Sequence, residues 1–155
     1  MILEAGLAYG HILAFLALAV FLTSEAALCR AEWLNGAVVE RLVRVDAIYR
    51  LSLLLVLASG LARVQWGVKG ADFLWAQPLL HLKLLLFLAM AALAIAPARA
   101  FRRWCRDWRR AGVLPPAEQV AWVRRRVMLQ AHLMPLVPLA GVLLARGIQP
   151  WPVAG

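Results

Sequence analysis

The chain has 155 residues, 64% of them apolar and 16% charged, and carries a formal charge of +9. Soluble globular chains hold about 45–50% apolar and about 25% charged residues, so the expected solvent is lipid rather than water. The leucine- and alanine-rich runs nowhere alternate, which excludes a closed barrel of short strands and leaves an all-α integral membrane bundle.

The first apolar run covers 5–28, long enough for a hydrocarbon core of about 30 Å. Its leader contains Glu4 and no Lys or Arg, the wrong start for a cleaved signal, so it is expected to remain a helix. That helix is expected to run on through 29–33 until Asn35 and Gly36 turn the chain. The second span, 47–64, is led in by helically spaced residues from 38 to 46. A short loop with Gly67, Lys69, Gly70 and Pro78 follows, in which Phe73 and Trp75 suit the headgroup level.

The third span, 79–96, ends at Pro97. Beyond it Phe101, Trp104, Cys105 and Trp108 fall on one stripe among arginines, the pattern of an amphipathic helix lying in the cytoplasmic interface. Gly112, Pro115 and Pro116 make a turn. The fourth helix starts near Ala117, places Trp122 at the interface, spans 127–144 and is expected to bend at Pro135 and Pro138. The expectation is one transmembrane domain over 1–155, a four-helix bundle with the amphipathic segment between its third and fourth spans.

The positive charge is concentrated. Arg30, Arg41 and Arg44 follow the first span, and nine arginines between 99 and 126 join the third to the fourth. By the positive-inside rule these connections face the cytoplasm, with both termini outside, as expected in a bacterial inner membrane. Anionic headgroups then account for the charge, and nucleic acid is not an expected partner. Cys29 and Cys105 fall at cytoplasmic helix ends, where thiols stay reduced.

Polar side chains within the spans need a partner or a purpose, because burying a charge at mid-membrane costs about 2.5–3.5 kcal/mol. They are expected in two layers. His11, Arg63, His81 and Lys83 share the outer half, while Glu25, Arg50, Gln130 and His132 lie towards the cytoplasm. Two imidazoles from different helices at one depth, with cations slightly further out, are what haem b requires in a helical bundle. In that reading His11 and His81 hold the iron, and Arg63 and Lys83 pair with the propionates. The alternative is structural: the histidines bond to neighbouring helices, Arg63 and Lys83 reach for headgroups, or Lys83 pairs with Asp72. His81 and Lys83 are two apart and point to nearly opposite sides of their helix, so only the long lysine can reach round to a shared ligand. Glu25 most simply pairs with Arg50, in preference to a proton path. His132 is read as a bonding partner of Glu25 or a ligand of a second cofactor.

The segments RVDAIY at 44–49, GLAR at 60–63, KGADF at 69–73, PLLHLK at 78–83 and FRRW at 101–104 resemble an uncharacterised bacterial family of four-helix inner-membrane proteins. That family is distantly similar to the HemJ type of protoporphyrinogen oxidase and to the membrane domain of CopD copper-resistance proteins. The resemblance implies a haem-associated or redox role, with His11 and His81 as ligands and Lys83 as a functional cation. Copper itself is disfavoured, since no Met or His cluster faces outward to collect it.

The leading expectation is a membrane-embedded b-type haem protein passing electrons, with a quinone or a larger membrane complex as partner. The alternative is a cofactor-free structural or assembly subunit, and self-association into a homo-oligomer is compatible with either. No nucleophile triad, CxxC motif or phosphate loop is present in the sequence to suggest hydrolytic or nucleotide chemistry.

Overall fold

The computed structural model describes residues 2–67 and 71–146, so Lys69, Gly70 and the C-terminal tail lie outside the described residues. The described chain is helical: α1 (Ile2–Leu28), α2 (Gly36–Trp66), the short α3 (Ala71–Trp75), α4 (Pro78–Ala111), α5 (Ala117–Leu133) and α6 (Leu136–Ala145). Four stretches are long and apolar enough to cross a membrane, namely α1, α2, α4, and α5 with α6 taken together. The bundle has a terminal end, where α1 begins and α6 finishes, and an arginine-rich end, where α1 meets α2 and α4 meets α5.

The α-helical part of α1 stops at Leu28 and only a single 3₁₀ turn, Ala31–Trp33, follows. The expected continuation through 29–33 is therefore corrected, and a side chain from a distant helix caps the end. Arg124 of α5 donates through Nη1 to the carbonyls of Ala26 (3.0 Å) and Cys29 (3.2 Å). The N–H of Arg30 bonds to Leu28 O instead of continuing the ladder to Ala26. A guanidinium at this position satisfies orphan carbonyls and meets the negative end of the helix dipole. Asn35 then starts α2 by accepting the Val38 N–H at 3.0 Å, an ordinary N-cap.

Pro97 does not break the helix of the third span. α4 runs unbroken from Pro78 to Ala111, about 51 Å at 1.5 Å per residue, and stops at Gly112, which supplies the left-handed turn with φ of 66°. The amphipathic stretch is thus the last part of α4 rather than a separate interfacial helix. Its apolar stripe is covered by protein: Phe101, Trp104 and Cys105 are all buried. These side chains join one core with Val39 and Leu42 of α2 and with Val120, Val123 and Val127 of α5. The Trp108 indole occupies the space that a Cβ at Gly36 would need, so glycine at that site lets α2 and α4 approach. Cys29 and Cys105 are buried free thiols.

Through the apolar middle, Ala14, Leu18 and Leu22 of α1 pack with Tyr49, Leu53 and Val56 of α2 and with Phe87 and Met90 of α4. Lipid tails are as apolar as these side chains, so close packing rather than water exclusion holds this part together. The fourth span breaks between α5 and α6 at Met134 and Pro135, as expected for Pro135, whereas Pro138 lies within the first turn of α6 and does not interrupt it.

Candidate functional site

At the terminal end the bundle opens into a cavity of about 210 Å³, lined by α1, α2, α4 and α6 and closed on one side by Trp75 of α3. Most of its wall is apolar, including Val56, Leu80, Phe87 and Val137, but His11, Arg63, Lys83 and the acid Glu4, which sequence reading did not place here, also line it. Three of the four residues expected in the outer polar layer therefore share one space.

His11 is buried, and its Nδ1 lies 2.8 Å from Ser59 Oγ. The Ser59 hydroxyl proton is directed back along α2 to Leu55 O at 2.6 Å, a common use of serine inside an apolar helix. Ser59 Oγ therefore accepts from the histidine, which fixes the Nδ1–H tautomer and leaves Nε2 as the ring's lone-pair atom. Gly60 is the next residue of α2, and a Cβ there would stand 3.2 Å from His11 Cε1, so the glycine leaves the ring its place. Sequence reading did not identify Ser59 as the histidine's clamp.

Lys83 is half-buried and reaches across from α4 to α6. A Cβ on Gly141 would lie 3.4 Å from its Nζ, so a second glycine again faces a polar side chain of the site. Arg63 is exposed at the cavity rim. Among the described residues neither cation forms an ion pair, and the suggested pairing of Lys83 with Asp72 does not occur.

His81 lies elsewhere. Its ring is exposed, its Nδ1–H donates to Gln77 O at 3.1 Å, and it tilts against Trp75 at a centroid distance of 6.3 Å. It is not among the residues lining the cavity. The expected meeting of His11 with His81 across the bundle is therefore corrected. The reason is helical geometry: two residues turn about 200° around the axis, so a lysine facing in turns the histidine out. The cavity therefore offers one imidazole and two cations, and not a two-histidine pair. Among the described residues no group of three or more His, Cys, Asp or Glu is placed to hold a metal ion.

The second polar layer also differs from expectation. Arg50 binds Asp46, one turn away on α2, through Nε and Oδ2 at 2.9 Å. Glu25 is 1% exposed and neither of its oxygens has a hydrogen-bond partner, so the Glu25–Arg50 pair is not formed. An i,i+4 partner costs little ordering, and Asp46 captures the arginine first. His132 is exposed and donates through Nδ1 to Met128 O at 2.6 Å, well away from a role with Glu25. What the layer does contain is a buried bond from the Tyr49 hydroxyl to Gln130 Oε1, 2.7 Å, joining α2 to α5.

Residues 3–149 match the family described as Predicted membrane protein (DUF2214). No curated protein matches the chain. No solved structure matches it either.

Proposed function

The chain belongs to that family of membrane proteins, and on this premise we propose that its terminal-end cavity binds a small amphipathic anion taken from the adjoining lipid leaflet. The acid group, a carboxylate or phosphate, sits between Lys83 and Arg63, and the apolar body lies against Leu84, Phe87 and Val137. The observation that carries this reading is Lys83, held half-buried over Gly141 with no ion-pair partner among the described residues, Glu4 on the same cavity wall included. A cation kept inside a membrane bundle without a partner is costly, and an anionic ligand removes that cost. His11 Nε2 adds an acceptor at the inner end for a ligand hydroxyl or N–H. Under the expected N-out orientation the leaflet is the outer one.

A second reading has its own support. A metal-bound histidine usually donates its other ring N–H to a fixed acceptor, and Ser59 does this for His11. Haem b, if bound, would be held by His11 with Arg63 and Lys83 beside its propionates, and would supply one-electron chemistry. His81 has no part in it.

One preparation separates the two. Protein purified from haem-replete cells and reconstituted in nanodiscs is titrated with a fluorescent long-chain fatty acid and a lysophosphatidic acid, and its absorption spectrum is recorded. Saturable binding by colourless protein, weakened in Lys83→Gln, is expected. A Soret band lost in His11→Ala and kept in His81→Ala selects haem. Colourless protein without saturable binding ends both readings and leaves a scaffold.

A further inference from the structure

Glu25 is the least explained polar side chain of the described structure. It lies 1% exposed on the face of α1 that packs into the bundle, and both carboxyl oxygens are without a partner. Asp46 has its Oδ1 in the same condition, while its Oδ2 is taken by Arg50. The antiparallel register that brings His11 to Ser59 brings residue 25 to the level of residue 45, so the two acids face each other across α1 and α2.

The groups around them are known. On α2 these are Asp46, Tyr49 and Arg50, with Cys29 just beyond the end of α1. Arg102 of α4 acts on Asp46, and Arg124 of α5 acts on Cys29 while its Nη1 is bonded to α1 carbonyls. Tyr49 gives its hydroxyl proton to Gln130, so it has none for Glu25. Among the described residues no cation forms an ion pair with Glu25. A metal ion is a poor remedy as well, because hard cations take about six or more oxygens and this place offers three unpartnered ones.

We propose that Glu25 is a proton-binding site: it is neutral in the assembled bundle and exchanges its proton with the aqueous phase at the arginine-rich end by way of Asp46. The O–H bond of Glu25 breaks as one forms at Asp46 Oδ1, and Asp46 passes the proton to water beside Arg50, whose side chain is 38% exposed. Nothing is oxidised or reduced. This inference does not depend on what the terminal-end cavity binds.

Infrared spectra of the full chain in nanodiscs test it. At neutral pH the wild-type protein should show the carbonyl band of a protonated carboxylic acid, which moves with ¹³C-carboxyl glutamate and stays with labelled aspartate. Glu25→Gln should abolish the band, and Glu4→Gln should keep it. Asp46→Asn should keep it but slow its shift after transfer to heavy water several-fold. Absence of a protonated glutamate band in wild-type protein, or its persistence in Glu25→Gln, overturns the site. Unchanged exchange in Asp46→Asn overturns the route. Isotope labelling of the wild-type chain decides the site even where a variant does not fold.

Discussion

His11 and Glu25 stand on one face of the same helix, roughly four turns apart, yet they live in opposite surroundings. His11 has a fixed donor bond, a glycine opposite and an open cavity beside it. Glu25 has no bond, and its layer is filled by Tyr49, Leu22 and Gln130, each fully or nearly fully buried. The same periodicity thus delivers two polar groups to the interior, and the neighbours decide which stands beside an open cavity and which is packed in without a partner. Small residues leave room at one end; large ones remove it at the other.

The comparison breaks most readily at the cations. Lys83→Gln should weaken binding of an anionic amphiphile by about 10- to 100-fold, the loss of one charge-assisted bond of about 1.5–3 kcal/mol, with helix content unchanged. Equal affinity in wild type and variant, measured by fluorescence titration, would remove the distinction between the two ends. In the sealed layer, Tyr49→Phe leaves Gln130 Oε1 buried without its donor and should cost about 1–2 kcal/mol in detergent unfolding, without affecting ligand binding.

Gly60→Ala sharpens the comparison by adding one methyl group at the open end. The His11 ring must give way by a few tenths of an ångström, its bond to Ser59 lengthens, and binding should fall a few-fold. Gly141→Ala meets Lys83 only at ordinary contact distance and should change affinity by less than about 0.5 kcal/mol. His81→Ala comes last, with no measurable change in binding, because its ring faces away from the cavity.

Much of the fold was legible in the sequence because the requirement that creates it is simple. An apolar run of about 20 residues with its backbone bonded internally has few other places to go. Helix ends were less legible. The end of α1 is capped by Arg124, nearly a hundred residues away, and α4 passes through Pro97 where its local cost suggested a break. At the site, spacing established that His81 and Lys83 face opposite ways but not which faces inward. Glu25 was visible as a buried acid, whereas its loss of Arg50 to Asp46 required knowing that the nearer partner is on the same helix.

The clasp of Arg124 on Ala26 and Cys29 also bears on the order in which the protein is made. The first helix leaves the ribosome long before the side chain that finishes it, so its last turn must wait, hydrated, through the synthesis of two further spans. Completion of the opening hairpin is in this sense a late event in biogenesis, and a chain released before α5 should retain a frayed junction that proteases can find.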